Sequence, residues 1–263
     1  MKRILLTLLL LFGTCTVAVA DDLNDGIAAY QSNDYGTAFA KFKKAAEAGN
    51  ADAQRRLASM YRKGQGVPQD YGQAVRWSTK AAEAGDSDAQ FNLALMYVKG
   101  MGVAQDYLQA ARWYTKAAEA GDSEAQTKLG WMYYNGQGMP QDYGQAVRWF
   151  TKAAEAGNAD AQSYLGALYA NGEGVPQDYQ QAARWYTKAA EAGDTGAQYC
   201  LSTLYYAGKG VPMDYMQAYM WANLAASKGG EREVENREAI ATFMTPAQIA
   251  EAQKLAREWK PKK

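Results

Sequence analysis

A 36-residue repeat dominates this chain of 263 residues. The hexapeptide Gly-Val-Pro-Gln-Asp-Tyr begins at Gly66 and Gly174, and variants of it begin at Gly102, Gly138 and Gly210. Three further positions keep the same step in five repeats: Ala53, Ala89, Ala125, Ala161 and Ala197; Leu57, Leu93, Leu129, Leu165 and Leu201; and Trp77, Trp113, Trp149, Trp185 and Trp221. A period of this length predicts a solenoid in which each repeat is one supersecondary unit.

The repeats divide most of the chain. The five full repeats occupy 51–86, 87–122, 123–158, 159–194 and 195–230. A degenerate repeat at 21–50 precedes them, because Tyr35 stands 36 residues before Tyr71. We interpret 231–263 as capping helices and a tail, since Thr245 supplies an N-cap ahead of a proline and Gln248 completes a capping box.

Each full repeat predicts two antiparallel helices. An N-capping Asp or Asn precedes the first helix of each repeat: Asn50, Asp86, Asp122, Asn158 and Asp194. A glycine ends that helix in each repeat: Gly64, Gly100, Gly136, Gly172 and Gly208. The second helix begins after Asp70 and closes at Ala84-Gly85 in the first full repeat. Its alanines and its Trp77 lie on one side, which predicts that the repeated tryptophans belong to the core.

Composition excludes several classes of function. The chain has no histidine, so it has no Ser-His-Asp or Cys-His constellation and no zinc site that uses histidine. Its two cysteines, Cys15 and Cys200, are too few for a Cys₄ site. Its 28 basic and 28 acidic residues give no basic excess of the kind that nucleic-acid binding requires. We therefore expect no enzyme activity, no cofactor, no metal and no nucleic-acid partner.

Residues 1–20 resemble a secretory signal peptide. Lys2 and Arg3 precede an apolar run, and Ala18-Val19-Ala20 forms a small-residue cleavage site. We expect cleavage after Ala20 and a periplasmic or secreted protein without a membrane span. Two alternatives are a retained anchor and a lipid on Cys15, although the residues before Cys15 fit a lipobox poorly.

The repeat carries a family resemblance. The pattern Ala-x-Ala-Gln-x-x-Leu, then Gly-x-Gly-Val-x-x-Asp-Tyr-x-x-Ala-x-x-Trp and Ala-Ala-x-x-Gly, resembles the Sel1-like repeat, a relative of the tetratricopeptide repeat. The resemblance covers about 23–230. It implies an all-α fold, a right-handed α/α solenoid with a C-terminal capping helix. It also implies protein–protein interaction by an adaptor or scaffold, in bacterial proteins that are often secreted or associated with the envelope.

The same resemblance leaves an alternative function open. A cysteine-rich branch of the family has been linked to β-lactam binding or hydrolysis, but each repeat there carries a cysteine pair that this chain lacks. Binding of cell-wall glycan is the other alternative, because aromatic rings stack on sugars as well as on peptides.

Five positions of each first helix vary between repeats and fall on one helix face. The resemblance assigns this face to the concave groove of a solenoid. Its basic residues are Arg55, Arg56, Arg62, Lys63, Lys99 and Lys128, and it has no acidic residue. Its aromatic residues are Phe91, Trp131, Tyr134, Tyr164, Tyr199 and Tyr206.

These residues favour a partner-binding groove, because interface centres are rich in aromatic residues and arginine. We predict that the protein is a monomer and binds a protein or peptide segment there, acidic at one end and apolar or aromatic at the other. A component of the cell envelope is one candidate for this partner. The competing interpretation is that the rings pack on neighbouring repeats and the charges are merely solvated.

Overall fold

The computed structural model describes residues 21–262, and every regular element within that range is a helix. Helix α1 occupies 21–31 of the described part. The helices that follow are α2 (Tyr35–Glu47), α3 (Ala51–Lys63), α4 (Tyr71–Glu83), α5 (Ser87–Lys99), α6 (Tyr107–Glu119), α7 (Ser123–Asn135), α8 (Tyr143–Glu155), α9 (Ala159–Asn171), α10 (Tyr179–Glu191), α11 (Thr195–Ala207), α12 (Tyr215–Ala226), α13 (Glu231–Ala241) and α14 (Pro246–Glu258). The chain forms two compact units, an N-terminal unit that ends at Asp122 and a C-terminal unit that begins at Ser123.

The predicted helix ends are confirmed where the structure shows them. Asn50 and Asp86 accept hydrogen bonds from the amides of Ala53 and Ala89, at 2.8 and 2.7 Å. The first helix of that repeat stops at Gly64, whose φ of +69° lies in the left-handed region that glycine tolerates. Each full repeat is therefore a helix pair whose boundaries its own residues specify.

Second helices begin in the same local way. Asp70 accepts a hydrogen bond from the amide of Gln73 at 2.9 Å, and the equivalent aspartates of α6, α8, α10 and α12 cap their helices alike. The helix ends at Ala84, ahead of Gly85 with φ of +94°. A capping aspartate thus fixes where each second helix begins.

Buried glutamines join consecutive repeats. Gln54 donates from its Nε2 to the carbonyl of Ala46 at 3.1 Å, and Gln90 donates to the carbonyl of Ala82 at 3.0 Å. Each bond links the start of a first helix to the end of the second helix before it. These bonds satisfy the amide nitrogens, whereas the Oε1 atoms of Gln54 and Gln90 are buried without a hydrogen-bond partner in the part of the chain that the structure describes.

A close approach of backbones also fixes the stacking. A Cβ on Gly102 would lie 2.3 Å from the carbonyl oxygen of Tyr71, the first residue of the second helix in the preceding repeat. Gly174 makes the same approach to Tyr143 in the C-terminal unit, at 2.5 Å. The second glycine of the Gly-x-Gly loop is therefore required by contact between repeats as well as by its positive φ.

The repeated alanines and leucines form the core, as predicted. The set at Ala53 and the set at Leu57 are completely buried in all five repeats. The prediction for the tryptophans is only partly correct, because Trp113 and Trp185 are half-buried while the other three are buried. In four repeats a lysine three residues later places its Nζ 4.2–4.5 Å from the ring centroid: Lys80, Lys116, Lys152 and Lys188. These rings therefore lie at the edge of the core, under an ammonium group.

Helices α13 and α14 both pack against α12 in the C-terminal unit. The capping box predicted at Thr245 and Gln248 is present. Ile240 and Ala252 complete a cluster with Ala218, Tyr219 and Ala222 of α12. The two helices thus cover the apolar side of the last repeat. Across residues 21–262, every helix is too short or too polar to cross a membrane.

Candidate partner-binding face

The variable positions of α3 and α5 form what we call the cationic face of the N-terminal unit: Arg55, Arg56, Arg62, Lys63, Phe91 and Lys99. The variable positions of α7, α9 and α11 form what we call the aromatic face of the C-terminal unit: Lys128, Trp131, Tyr134, Tyr164, Tyr199 and Tyr206. Each face is built by first helices that present their invariant alanines and leucines to the core.

On the cationic face, Arg55 and Arg56 are neutralised within the chain. Arg55 forms ion pairs with Asp52, with Asp86 at 3.2 Å and with Asp88 at 3.5 Å. Arg56 pairs with Asp52 at 2.9 Å. These carboxylates lie outside the variable positions but beside the cationic face, so the charges of the variable positions alone did not predict the ion pairs. Of the four basic residues that the first full repeat contributes to this face, only Arg62 and Lys63 have no ion pair within the described residues.

The remaining cations are available. Arg62, Lys63 and Lys99 form no ion pair within the part of the chain that the structure describes, and the two lysines are exposed. Arg62 lines a pocket together with Ser59 and Asn92. A guanidinium group beside a hydroxyl and an amide suits an anionic group such as a carboxylate.

The ring of Phe91 packs within the protein, as the competing interpretation of the variable positions predicts. Its ring packs at 5.5 Å from the ring of Tyr114, a buried residue of α6. It therefore offers less surface to a partner than the sequence predicted.

The aromatic face keeps large rings in contact with solvent. Trp131, Tyr164 and Tyr206 are 37%, 39% and 36% exposed, and Lys128 is exposed as well. Tyr164 also stacks on Phe150 of α8, with the ring centroids 5.0 Å apart. Tyr206 packs against Tyr215 of α12, with the ring centroids 5.8 Å apart, so second helices contact both of these tyrosine rings without covering them.

Two other predicted rings are more enclosed. Tyr134 packs against Tyr143, and burial followed by the charge of Glu173 raises the pKa of its hydroxyl. Tyr199 lies under the guanidinium of Arg232, whose Cζ is 4.3 Å from the ring centroid. Because Arg232 belongs to α13, the capping helix occupies part of the surface that the sequence argument assigned to the face.

Phe243 is a further exposed ring that the sequence pattern did not predict. This residue follows α13, is 53% exposed and contacts the rings of Tyr206 and Tyr215. The 36-residue spacing gives no signal for Phe243, because this residue lies after the last full repeat.

Cys200 is a poor nucleophile in this setting. It is a free thiol, and burial raises its pKa, although a hydrogen bond with the side chain of Tyr186 opposes that rise. A thiol with a raised pKa carries little thiolate at neutral pH. Among the residues from 21 to 262, no three His, Cys, Asp or Glu side chains are grouped to hold a metal ion.

Comparison with known proteins identifies the repeat. The sequence profile of the Sel1 repeat matches residues 24–50, 51–86, 87–122, 123–158, 159–194 and 195–230. A Sel1 repeat protein from Oxalobacter formigenes is 31% identical, with a TM-score of 0.75, over 92% of this chain and 99% of that one. No curated protein sequence matches the chain.

A second solved structure is also similar. It is a protective antigen of uropathogenic Escherichia coli, 29% identical with a TM-score of 0.56, and the match covers 92% of this chain and 68% of that one. Solenoids of this repeat are typical protein-interaction modules and are generally non-enzymatic scaffolds. The repeats, the helix pairs and these similarities together show that the chain belongs to the Sel1 repeat family.

Proposed function

We propose that this protein is an exported interaction module that binds a protein or peptide segment on the variable faces of its first helices. The observation that carries this proposal is the exposure of Trp131, Tyr164 and Tyr206 on three successive first helices of the C-terminal unit. Leucines of those same helices are buried, so the helices have ample apolar surface for folding without the three rings. Large rings left partly in water are the side chains that most often dominate a protein interface.

The charges favour an acidic segment in the partner. Arg62, Lys63 and Lys99 form no ion pair in the described part of the N-terminal unit, and Lys128 is exposed three residues before Trp131 on α7. Salt screens exposed charges, with a screening length of about 8 Å at physiological ionic strength. We therefore expect the affinity for an acidic segment to fall as salt is added.

Export is part of the proposal and rests on residues 1–20, which lie outside the described residues. The positive residues, the apolar run and the Ala18-Val19-Ala20 site support it. The protein isolated from the periplasmic fraction is expected to have the intact mass of a chain that starts at Asp21. A mass that includes a diacylated Cys15 contradicts cleavage after Ala20.

Site-specific crosslinking tests the binding face. Lys128 is replaced by the photoreactive residue benzoylphenylalanine, and the matched control carries the same residue at Arg184, an exposed position of second helix α10 in the same unit. After irradiation in envelope extract, position 128 is expected to yield a discrete protein adduct that position 184 does not. Equal adducts at both positions contradict the proposed face.

A muramidase-treated extract provides a second arm of that experiment. The adduct is expected to survive this treatment if the partner is a protein. Loss of the adduct after treatment contradicts a protein partner and indicates binding of cell-wall glycan.

A further inference from the structure

Four repeats share a polar bridge in the hexapeptide loop. The Nε2 of Gln69 donates to the carbonyl of Arg62 at 2.7 Å and to the hydroxyl of Tyr71 at 3.1 Å. Gln105, Gln141 and Gln177 make the same two bonds at the same distances. The glutamine therefore ties the end of a first helix to the start of the following second helix.

The last full repeat abandons this bridge. Met213 stands in place of the glutamine, and a thioether has no proton to donate. Its side chain is 61% exposed and lies beside Gly208, the residue that ends α11.

Aromatic rings cluster at the end of α11, close to Met213 in the sequence: Tyr206 belongs to the last turn of α11, and Tyr215 is the first residue of α12. Phe243 stacks on Tyr215 with the centroids 5.3 Å apart and the planes at 16°. It also meets Tyr206 edge-on at 5.5 Å. We call Tyr206, Met213, Tyr215 and Phe243 the terminal patch.

Folding of the last repeat gains little from this substitution. The hydrogen bonds of the glutamine are lost, and apolar surface is presented to water instead. Contiguous exposed apolar side chains of this kind mark interaction sites more often than isolated ones do. The departure from the four-repeat pattern therefore points to recognition.

We infer that the terminal patch receives one large apolar side chain of an extended partner segment that also carries an acidic residue. This inference rests on the proposed function and adds the position of the apolar anchor. Four side chains are too few for the 1,200–2,000 Å² or so that a stable dimer interface buries, which argues against a second copy as the occupant. Tyr206 belongs to the aromatic face, so the patch continues the surface proposed above.

Nearby cations supply the acidic preference. Lys209 follows Gly208 directly, with its Nζ 5.1 Å from the ring centroid of Tyr179, and Arg232 covers Tyr199. Neither cation forms an ion pair within the described part of the chain. Tyr199 and Tyr206 are two helical turns apart, about 10 Å, which an extended peptide spans in about three residues. The partner therefore carries its carboxylate about three residues from its apolar anchor.

Reverting the patch to the repeat pattern tests the inference. A phage-displayed library of random dodecapeptides is selected on the immobilised protein, and the enriched peptides are synthesised with a fluorophore. Dissociation constants are then measured by anisotropy for wild type, Met213→Gln, Phe243→Ala and Gln177→Met. The last variant is the matched control, because it removes the same polar bridge one repeat earlier.

The expected result separates binding from folding. Enriched peptides contain a large apolar residue and an acidic residue, and Met213→Gln weakens their binding at least tenfold. The melting temperature of Met213→Gln is unchanged or higher, because the polar bridge is restored. Phe243→Ala also weakens binding, whereas Gln177→Met leaves the dissociation constant within twofold of wild type.

Several outcomes overturn the inference. The inference is wrong if neither Met213→Gln nor Phe243→Ala changes the dissociation constant. It is also wrong if the enriched peptides contain no apolar residues. If sedimentation shows that the wild type is a dimer and that Met213→Gln is a monomer, the patch binds a second copy of the chain instead. If the crosslink at position 128 succeeds while peptide binding ignores Met213, this inference fails and the proposed function stands. If neither the crosslink nor any peptide is obtained, both fail.

Discussion

The rings of Trp221 and Trp259 meet edge-on, with their centroids 6.1 Å apart and their planes at 72°. In the four preceding repeats a lysine covers the equivalent tryptophan, but Leu224 occupies that position in the last repeat. The chain then continues to Lys262, whose Nζ lies 2.6 Å from a carboxylate oxygen of Glu191. The end of the chain therefore replaces the lysine that protects the other tryptophans.

Trp259→Ala is expected to destabilise the protein by about 2 kcal/mol, since a fully buried tryptophan costs 3–5 kcal/mol and this one is half-buried. Urea denaturation followed by circular dichroism measures the change. Lys262→Ala is the control, and it should cost less than about 1 kcal/mol because the lysine of that ion pair is exposed. An equal loss from both variants would show that the tail, and not the ring, holds the cap.

Gly174→Ala is expected to lower the free energy of unfolding by about 3 kcal/mol, because strain at a positive φ adds to overpacking against the backbone of Tyr143. Gly157→Ala is the matched control. Its φ is also positive, at +90°, but a Cβ there meets nothing within 4 Å. Strain alone predicts a loss of about 1–2 kcal/mol for the control. Equal losses in chemical denaturation would mean that the close approach between repeats contributes nothing.

Arg62→Glu is expected to slow association with the partner and to leave stability within about 0.5 kcal/mol of wild type, because Arg62 has no ion pair in the described residues. Arg55→Glu is expected to cost about 1 kcal/mol of stability, since it replaces the cation that Asp52, Asp86 and Asp88 share. Thermal melts and surface plasmon resonance at low and high salt measure both effects. A destabilised Arg62→Glu would reverse this assignment.

Alkaline pH is expected to destabilise the protein. Burial raises the pKa of the Tyr114 and Tyr186 hydroxyls far above their usual value near 10. The unfolded chain then loses these protons at lower pH than the folded chain does, so stability is complete below about pH 10 and falls above it. Each tyrosine contributes a slope of about 1.4 kcal/mol per pH unit.

Melting temperatures from pH 8 to 11 check that dependence. Tyr186→Phe is expected to flatten the decline above pH 10, whereas Tyr71→Phe, at an exposed ring, should leave it unchanged. A decline of the same slope in both variants would assign the effect to other groups.

Helix boundaries were predictable from the sequence because their causes are local. The side chain of Asn50 or Asp70 accepts a hydrogen bond from the amide three residues later, which fixes where the helix begins. A glycine such as Gly64 adopts the left-handed conformation at which a helix ends. Repetition then multiplied each local signal five times. The buried alanine and leucine positions followed from the same periodicity.

The availability of individual side chains was decided only by tertiary structure. Arg55 meets Asp86 across 31 residues, and Arg232 reaches Tyr199 from a helix outside the repeats. Periodicity describes an average repeat, whereas charge pairing and ring exposure depend on which particular neighbours the stacking brings together. Helices α13 and α14 follow the last full repeat in place of another repeat, so Phe243 and Trp259 supply the ring contacts of Tyr215 and Trp221, which no spacing within the repeats predicts.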